Sequence, residues 1–289
     1  KTRFVALDGA YHGETFGAMS AGARSIFSAP FSELLFESSL IPFPKDEQAA
    51  IKSLKTEIAK GDVAAFIFEP LVQGAAGMRM YKPETLNKLI QVCKEAGVLC
   101  IADEVMTGFG RTGTTFAVNQ IEAQPDFICM SKGLSGGTLP LSLTTSTNEI
   151  YNVFLGDNLQ QAFLHGHSFT GNPIGCSAAI ASLDLLEKKE CQMAIKNIAK
   201  SHETFTNAIK SLEIIKDIRQ TGTILAIELK SDSSGYASSV RQQLYQDFLS
   251  QGVLLRPLGN VIYILPPYCI KEKELKKVYK VIEAKLKKM

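Results

Sequence analysis

Residues 98–113 read VLCIADEVMTGFGRTG, and shortly after them residues 125–137 read PDFICMSKGLSGG. Each stretch opens on a short apolar run, Val98–Asp103 and Asp126–Met130, with no polar alternation. That pattern predicts parallel strands covered on both faces. Each run then ends on residues that carry chemistry: Asp103-Glu104 in one case, Ser131-Lys132-Gly133 in the other. In parallel α/β sheets, ligands gather just beyond the carboxyl ends of the strands. An acid and a lysine at two such ends therefore point to a site.

Working outward, the same kind of run recurs at Phe4–Asp8, Ala64–Glu69 and Leu141–Thr145, which also read as buried strands. Amphipathic stretches lie between them. Asp46–Lys60 and Pro83–Ala96 are expected helices, the second with Pro83 in its first turn, Leu86, Leu89, Ile90 and Cys93 on one face, and Gly97 as a stop. This alternation predicts an α/β fold with a mainly parallel sheet. Asn172–Lys188 should be a long connecting helix. After about residue 187 the pattern changes to a helix (Gln192–Leu212), a strand pair (Ile214–Arg219 and Thr223–Leu229) around Thr221-Gly222, and a helix (Ser238–Ser250). Two strands (Val253–Arg256 and Val261–Leu265) and a final helix complete it. The expectation is a large domain over residues 1–187 and a smaller α+β domain over 188–289. The first residue is not Met and the opening run reads as a strand already under way, so an N-terminal part is expected to be missing.

A third strand end adds an aromatic: Phe4–Asp8 is followed by Tyr11-His12-Gly13. Lysine, acid and aromatic together are what a pyridoxal phosphate (PLP) site requires. A lysine amine forms a reversible Schiff base with an aldehyde. A carboxylate beside the pyridine nitrogen keeps it protonated, so the ring accepts electrons. An aromatic ring stacks on the cofactor. The phosphate wants N–H groups and hydroxyls near a helix N-terminus, for which His165-Gly166-His167-Ser168-Phe169-Thr170-Gly171 is a candidate. Taken singly each feature has a plainer reading, since a strand-terminal Asp is often a helix cap and an SKG turn often only a turn; their combination carries the reading.

Other signals carry less. His165 and His167 do not make a metal site, because the chain has only four histidines and no cysteine or carboxylate cluster completes a ligand set. Gly108, Gly110 and Gly113 lack the spacing of a nucleotide loop. A net charge of +2 gives no reason to expect nucleic acid or an acidic membrane. The C-terminal lysines alternate with Leu275, Val278, Ile282 and Leu286 at helical spacing and read as a wet helix face. Six cysteines without CxxC spacing fit a reducing compartment, so cytoplasm is the expected location.

The two opening strings resemble the signature of the class III (omega) aminotransferases. That resemblance implies the type I fold of PLP-dependent transferases, with Lys132 as the Schiff-base lysine, Asp103 on the pyridine nitrogen, Val105 packed on the ring and Tyr11 stacked on its other face. It also implies a homodimer with shared sites, His167 and Ser168 reaching the phosphate of the partner's cofactor. Within the family, YHGETFGAMS, EPLVQGAAGMRMY, FLHGHSFTGNP and LLRPLGNVIYILPPY look closer to the branch acting in biotin biosynthesis. Those members aminate 8-amino-7-oxononanoate, with S-adenosylmethionine as the expected amino donor or lysine in some. Similarity then implies Arg256 on the substrate carboxylate, with Gly166, Tyr11 and Tyr263 at the substrate. Members using 2-oxoglutarate, of the acetylornithine, ornithine or 4-aminobutyrate type, are the alternative; they usually carry a Glu that pairs with the arginine, where this chain has Ala75. Met106 stands where many members have Gln.

Overall fold

The apolar runs become strands and the amphipathic stretches become helices in a computed structural model that describes residues 1–26, 28–231 and 239–289. The chain opens with β1 (Arg3–Leu7), α1 (Phe16–Ala21), β2 (Ser38–Ile41), α2 (Glu47–Ile58) and β3 (Val63–Phe68). A small hairpin of β4 (Val72–Gln73) and β5 (Arg79–Met80) precedes α3 (Pro83–Glu95), β6 (Leu99–Asp103) and β7 (Phe127–Met130). Then follow β8 (Leu143–Ser146), α4 (Asn148–Val153), α5 (Pro173–Glu187) and α6 (Lys189–Ile209). The C-terminal elements are β9 (Ile215–Thr221), β10 (Ile224–Leu229), α7 (Ser239–Ser250), β11 (Val261–Ile264) and α8 (Glu272–Leu286). Ser238, the expected start of α7, lies outside the described residues.

Six strands pair in the order β2-β1-β3-β6-β7-β8. All neighbours are parallel except the last, where β8 runs antiparallel to β7. The central strands carry fully buried side chains, Val5 and Leu7 on β1, Phe66 and Phe68 on β3, Cys100 on β6. They join Leu54 of α2 and Leu86, Leu89 and Ile90 of α3 in one apolar cluster. Truncating Phe66 or Phe68 to Ala there costs about 3–5 kcal/mol in transfer and cavity terms. The helices start where the sequence supplies caps. Asp46 accepts from Ala49 N at 3.0 Å ahead of α2, Asn172 accepts from Gly175 N at 2.7 Å ahead of α5, and Pro83 and Pro173 sit in first turns.

Two expected strands are corrected. Leu141–Thr145 was expected as a buried parallel strand. The strand actually spans Leu143–Ser146, antiparallel at the sheet edge, with all four residues exposed. Val253–Arg256 forms no strand among the described residues. It keeps the inside-outside alternation, Val253 and Leu255 buried against Leu254 and Arg256 exposed, but Pro257 has no N–H to extend a ladder. Its carbonyl accepts instead from Arg241 Nε at 3.1 Å. Strand β2 and helices α1 and α4 were not anticipated from the sequence; each is four to six residues long, too short to show a period.

The antiparallel sheet β11-β10-β9 is buried on both faces. Leu225, Ile227 and Leu229 pack with Phe205 of α6, Phe248 of α7 and Ile282 of α8, whereas Ile224, Ala226 and Val261 join the core of the six-stranded sheet. The Gly222 turn, left-handed at φ +54°, lets this unit approach the backbone of Arg111 and Thr112, and Thr223 N donates to Arg111 O at 2.9 Å.

Candidate active site

The strand order places the carboxyl ends of β1, β3, β6 and β7 side by side, and each delivers one chemical group. After β1 comes Tyr11, after β3 Glu69, at the end of β6 Asp103, and after β7 Lys132. Asp103 pairs in register with Cys129, three residues before Lys132. The sheet thus brings together three of the expected residues, and with them a second carboxylate, that of Glu69.

Asp103 is 6% exposed and held at both oxygens. Val105 N donates to Oδ1 at 3.1 Å, and His12 Nδ1–H donates to Oδ2 at 2.7 Å. A buried carboxylate tied by an N–H and an imidazole has a fixed plane and a defined free lone pair, which suits a cationic ring N–H. His12 Nε2 is buried with no hydrogen-bond partner among the described residues. Val105, half-buried in the turn after Asp103, is placed by the same hydrogen bond.

Glu69 organises the neighbouring turns. Tyr11 N donates to its Oε1 at 3.2 Å and Gly74 N to its Oε2 at 2.8 Å. Burial pushes its carboxyl up to about 7, opposed by nearby His12 and by these two N–H donors. One carboxylate therefore fixes both the tyrosine turn and the Gln73–Gly77 stretch. Tyr11 is 36% exposed and its hydroxyl donates to Glu14 Oε1 at 3.2 Å, leaving the ring face at the mouth of the site. Glu104 is fully buried beside Asp103 and accepts from Thr107 Oγ1 at 2.6 Å and Val118 N at 2.8 Å, shaping the loop over residues 104–118.

Lys132 is exposed and adopts a left-handed φ of +44°, and its side-chain amine has no hydrogen bond or ion pair among the described residues. An uncommitted amine at a strand end, near a carboxylate fixed for a cationic partner, is a donor set that fits PLP. The other expected residues stand apart. Gly166, His167 and Ser168 are exposed in the turn before α5, where His167 N donates to Thr170 Oγ1 and Phe169 N to His167 Nδ1, and none bonds to Tyr11, Asp103 or Lys132. Arg256 is exposed and without a partner among the described residues. Tyr263, half-buried on β11, packs against the core of the six-stranded sheet. His12 and Glu69 received no role in the sequence reading. The signal for Glu69 was available, since it ends its apolar strand as Asp103 does; that for His12 was only its place beside Tyr11.

Comparison with known proteins supplies the family and the fold. Residues 1–286 match the family model described as aminotransferase class-III. The chain is 48% identical to the adenosylmethionine-8-amino-7-oxononanoate aminotransferase of Synechococcus elongatus, an alignment covering 98% of this chain and 68% of that protein. The crystal structure of the Methanocaldococcus jannaschii protein of the same name superposes with a TM-score of 0.90 at 36% identity, over 98% of this chain and 68% of that one. An amine transaminase from an uncultivated Pseudomonas species, solved with PLP bound, gives 0.91 at 29% identity, over 100% of this chain and 70% of that one. The chain spans about two thirds of the length of the curated relatives it matches. With the family model spanning residues 1–286 and Lys132, Asp103 and Tyr11 at neighbouring strand ends, the chain belongs to the class-III aminotransferases.

Proposed function

We propose that this protein is a PLP-dependent aminotransferase that converts 8-amino-7-oxononanoate to 7,8-diaminononanoate in biotin biosynthesis, taking the amino group from S-adenosylmethionine. The observation that carries the reaction type is the placement of Tyr11, Asp103 and Lys132 on neighbouring parallel strands with the Lys132 amine unpaired. The substrate reading rests on relatives named for that reaction and on the Gln73–Gly77 stretch, where exposed Ala75 offers no carboxylate to Arg256.

When bound, PLP supplies an aldehyde for amine exchange and a ring that accepts electrons. Lys132 would hold it through its side-chain amine, a basic group that could also carry a proton during the reaction. Asp103, its plane fixed by His12 and Val105 N–H, would balance the positive charge of the ring nitrogen. Tyr11, steadied by Glu69 through its backbone N–H, and Val105 would hold the ring. Arg256 would offer a two-pronged donor to the substrate carboxylate, and Tyr11, Gly166 and Tyr263 would line the substrate pocket. Residues 1–187 would form the cofactor domain and 188–289 the smaller domain. His167 and Ser168 point outward and would complete the phosphate site of a second copy in a homodimer.

Replacing Lys132 with Ala in the PLP-loaded protein should remove the absorbance band of the lysine Schiff base at neutral pH and leave only that of unlinked PLP. A Schiff-base band that survived would overturn the lysine assignment. Turnover with 8-amino-7-oxononanoate as acceptor should far exceed that with 2-oxoglutarate, and the reverse would overturn the substrate.

A further inference from the structure

Four non-glycine residues among those described have left-handed backbone: Leu71, Met78, Phe109 and Lys132. Two of them meet. The Phe109 ring lies on Gly133, the residue after Lys132. A Cβ built on Gly133 would stand 2.8 Å from Phe109 Cδ2 and 2.9 Å from its Cβ and Cγ. The ring thus occupies the space a side chain would need, and only glycine admits it.

A non-glycine residue in this conformation costs of order 1 kcal/mol or more and persists only where its surroundings over-determine it. Phe109, at φ +58°, is held by contacts that converge from two sides. Tyr268 Oη donates to its carbonyl at 2.8 Å, and the Phe116 ring meets its ring edge-on at 5.4 Å. Tyr268 in turn lies under the Arg111 guanidinium at 4.8 Å, while Arg111 Nη1 donates to Pro266 O at 2.7 Å. Lys132, at φ +44°, is held through its turn. Gly137 N donates to Lys132 O at 3.1 Å, Ser182 Oγ of α5 donates to Gly133 O at 3.1 Å, and the Phe109 ring closes the remaining side.

We propose that Phe109 is a positioning residue for Lys132: its ring, fixed by Tyr268 of the C-terminal unit, wedges against Gly133 and sets the direction in which the lysine amine enters the site. The TGFGRTG loop, whose glycines resemble a nucleotide loop in composition only, is on this reading a mechanical link. It joins the seating of the C-terminal unit to the reactive amine. The proposal rests on the reading of Lys132 as the cofactor-bearing lysine.

The test uses the PLP-loaded, full-length protein and reads the apparent pKa of its visible absorbance band alongside the melting temperature. Phe109→Leu should move that pKa by about half a unit or more, as a changed amine geometry alters the two protonation states unequally. Tyr268→Phe, which removes one hydroxyl, should move it less and in the same direction. Phe66→Leu, in the core of the six-stranded sheet and outside the Phe109 cluster, should lower the melting temperature and leave the pKa in place. An unchanged pKa in both Phe109→Leu and Tyr268→Phe would overturn the proposal, and if Phe109→Leu does not fold, an unchanged pKa in Tyr268→Phe does so alone. Loss of the band in Lys132→Ala, with that unchanged pKa, would leave the lysine assignment standing and remove only the role of Phe109.

Discussion

The two regions that should serve one cofactor are built in opposite ways. At the strand ends, Glu69, Asp103 and Glu104 are nearly or fully buried and accept hydrogen bonds on both oxygens. Between residues 142 and 171, by contrast, every residue except Ile150 and Ala162 is exposed. The exposed set includes Leu159 at 74%, Leu164 at 77% and Phe169 at 74%. Contiguous exposed apolar surface of this kind marks an interaction face. The difference teaches that the strand-end carboxylates are held by neighbours among the described residues, while the segment bearing His167 and Ser168 leaves its apolar side chains uncovered by them.

The sharpest test of the strand-end side is Asp103→Ala. With His12 then facing a cavity and no anion at the ring nitrogen, kcat should fall roughly 10³-fold or more, since the charge held there acts on the transition state. The measurement is single-turnover kinetics with saturating cofactor. A loss below about tenfold would mean that another group balances the ring charge.

Glu69 tests the same side through pH. Its pKa is raised from an ordinary 4.5 to about 7, because burial outweighs His12 and the two N–H donors. Between those values the folded state holds a proton that the unfolded state releases. Stability from this group is therefore complete below about pH 4.5 and is lost as pH rises through 7, by up to about 3 kcal/mol. His202 in the C-terminal unit has the opposite sign. Burial lowers it from 6.5 to about 4, partly opposed by the Thr223 carbonyl that accepts from Nε2. Its contribution is present above pH 6.5 and lost as pH falls toward 4, again by about 3 kcal/mol. The two slopes oppose each other between about pH 4.5 and 6.5. In Glu69→Gln, chemical denaturation across that window should show a slope of stability against pH more positive than in the wild type; an unchanged slope would place the shift elsewhere.

The sequence exposed these two regions unequally. The central strands were legible because both faces are covered, so their apolar runs needed no alternation to be recognised. Lys132, Asp103 and Tyr11 were legible because chemistry-bearing residues at strand ends have few structural reasons to be there. Glu69 was legible only as another strand-end acid and His12 not at all, since their partners depend on which strand lies beside which, and strand order is not written in any one segment. The exposure of residues 142–171 was equally hidden. Leucines and phenylalanines there look like core until the fold shows that no described residue covers them. Leu164→Asp with Phe169→Asp should accordingly weaken self-association by about 100-fold, near 2.7 kcal/mol, while leaving the melting of the monomer almost unchanged. Sedimentation at graded concentrations reads the first quantity and scanning calorimetry the second; unaltered association would mean that a different occupant covers this face.

The smallest effect is the most discriminating. Removing the phosphate-directed donors with His167→Ala and Ser168→Ala should weaken cofactor retention by about tenfold, as expected for the loss of one or two hydrogen bonds to an anion. That number alone does not say whose cofactor they serve. Mixing does. A chain carrying the two alanines still has Lys132, and a chain carrying Lys132→Ala still has His167 and Ser168. If the turn reaches across a two-fold axis, a mixed dimer rebuilds one complete site from two defective chains, so random reassortment should return roughly a quarter of the wild-type sites. If the turn serves its own chain, the Lys132→Ala protomer contributes nothing and the mixture only averages its parents. Tight-binding cofactor counted after gel filtration separates the two outcomes, and simple averaging would assign the exposed turn to the chain that carries it.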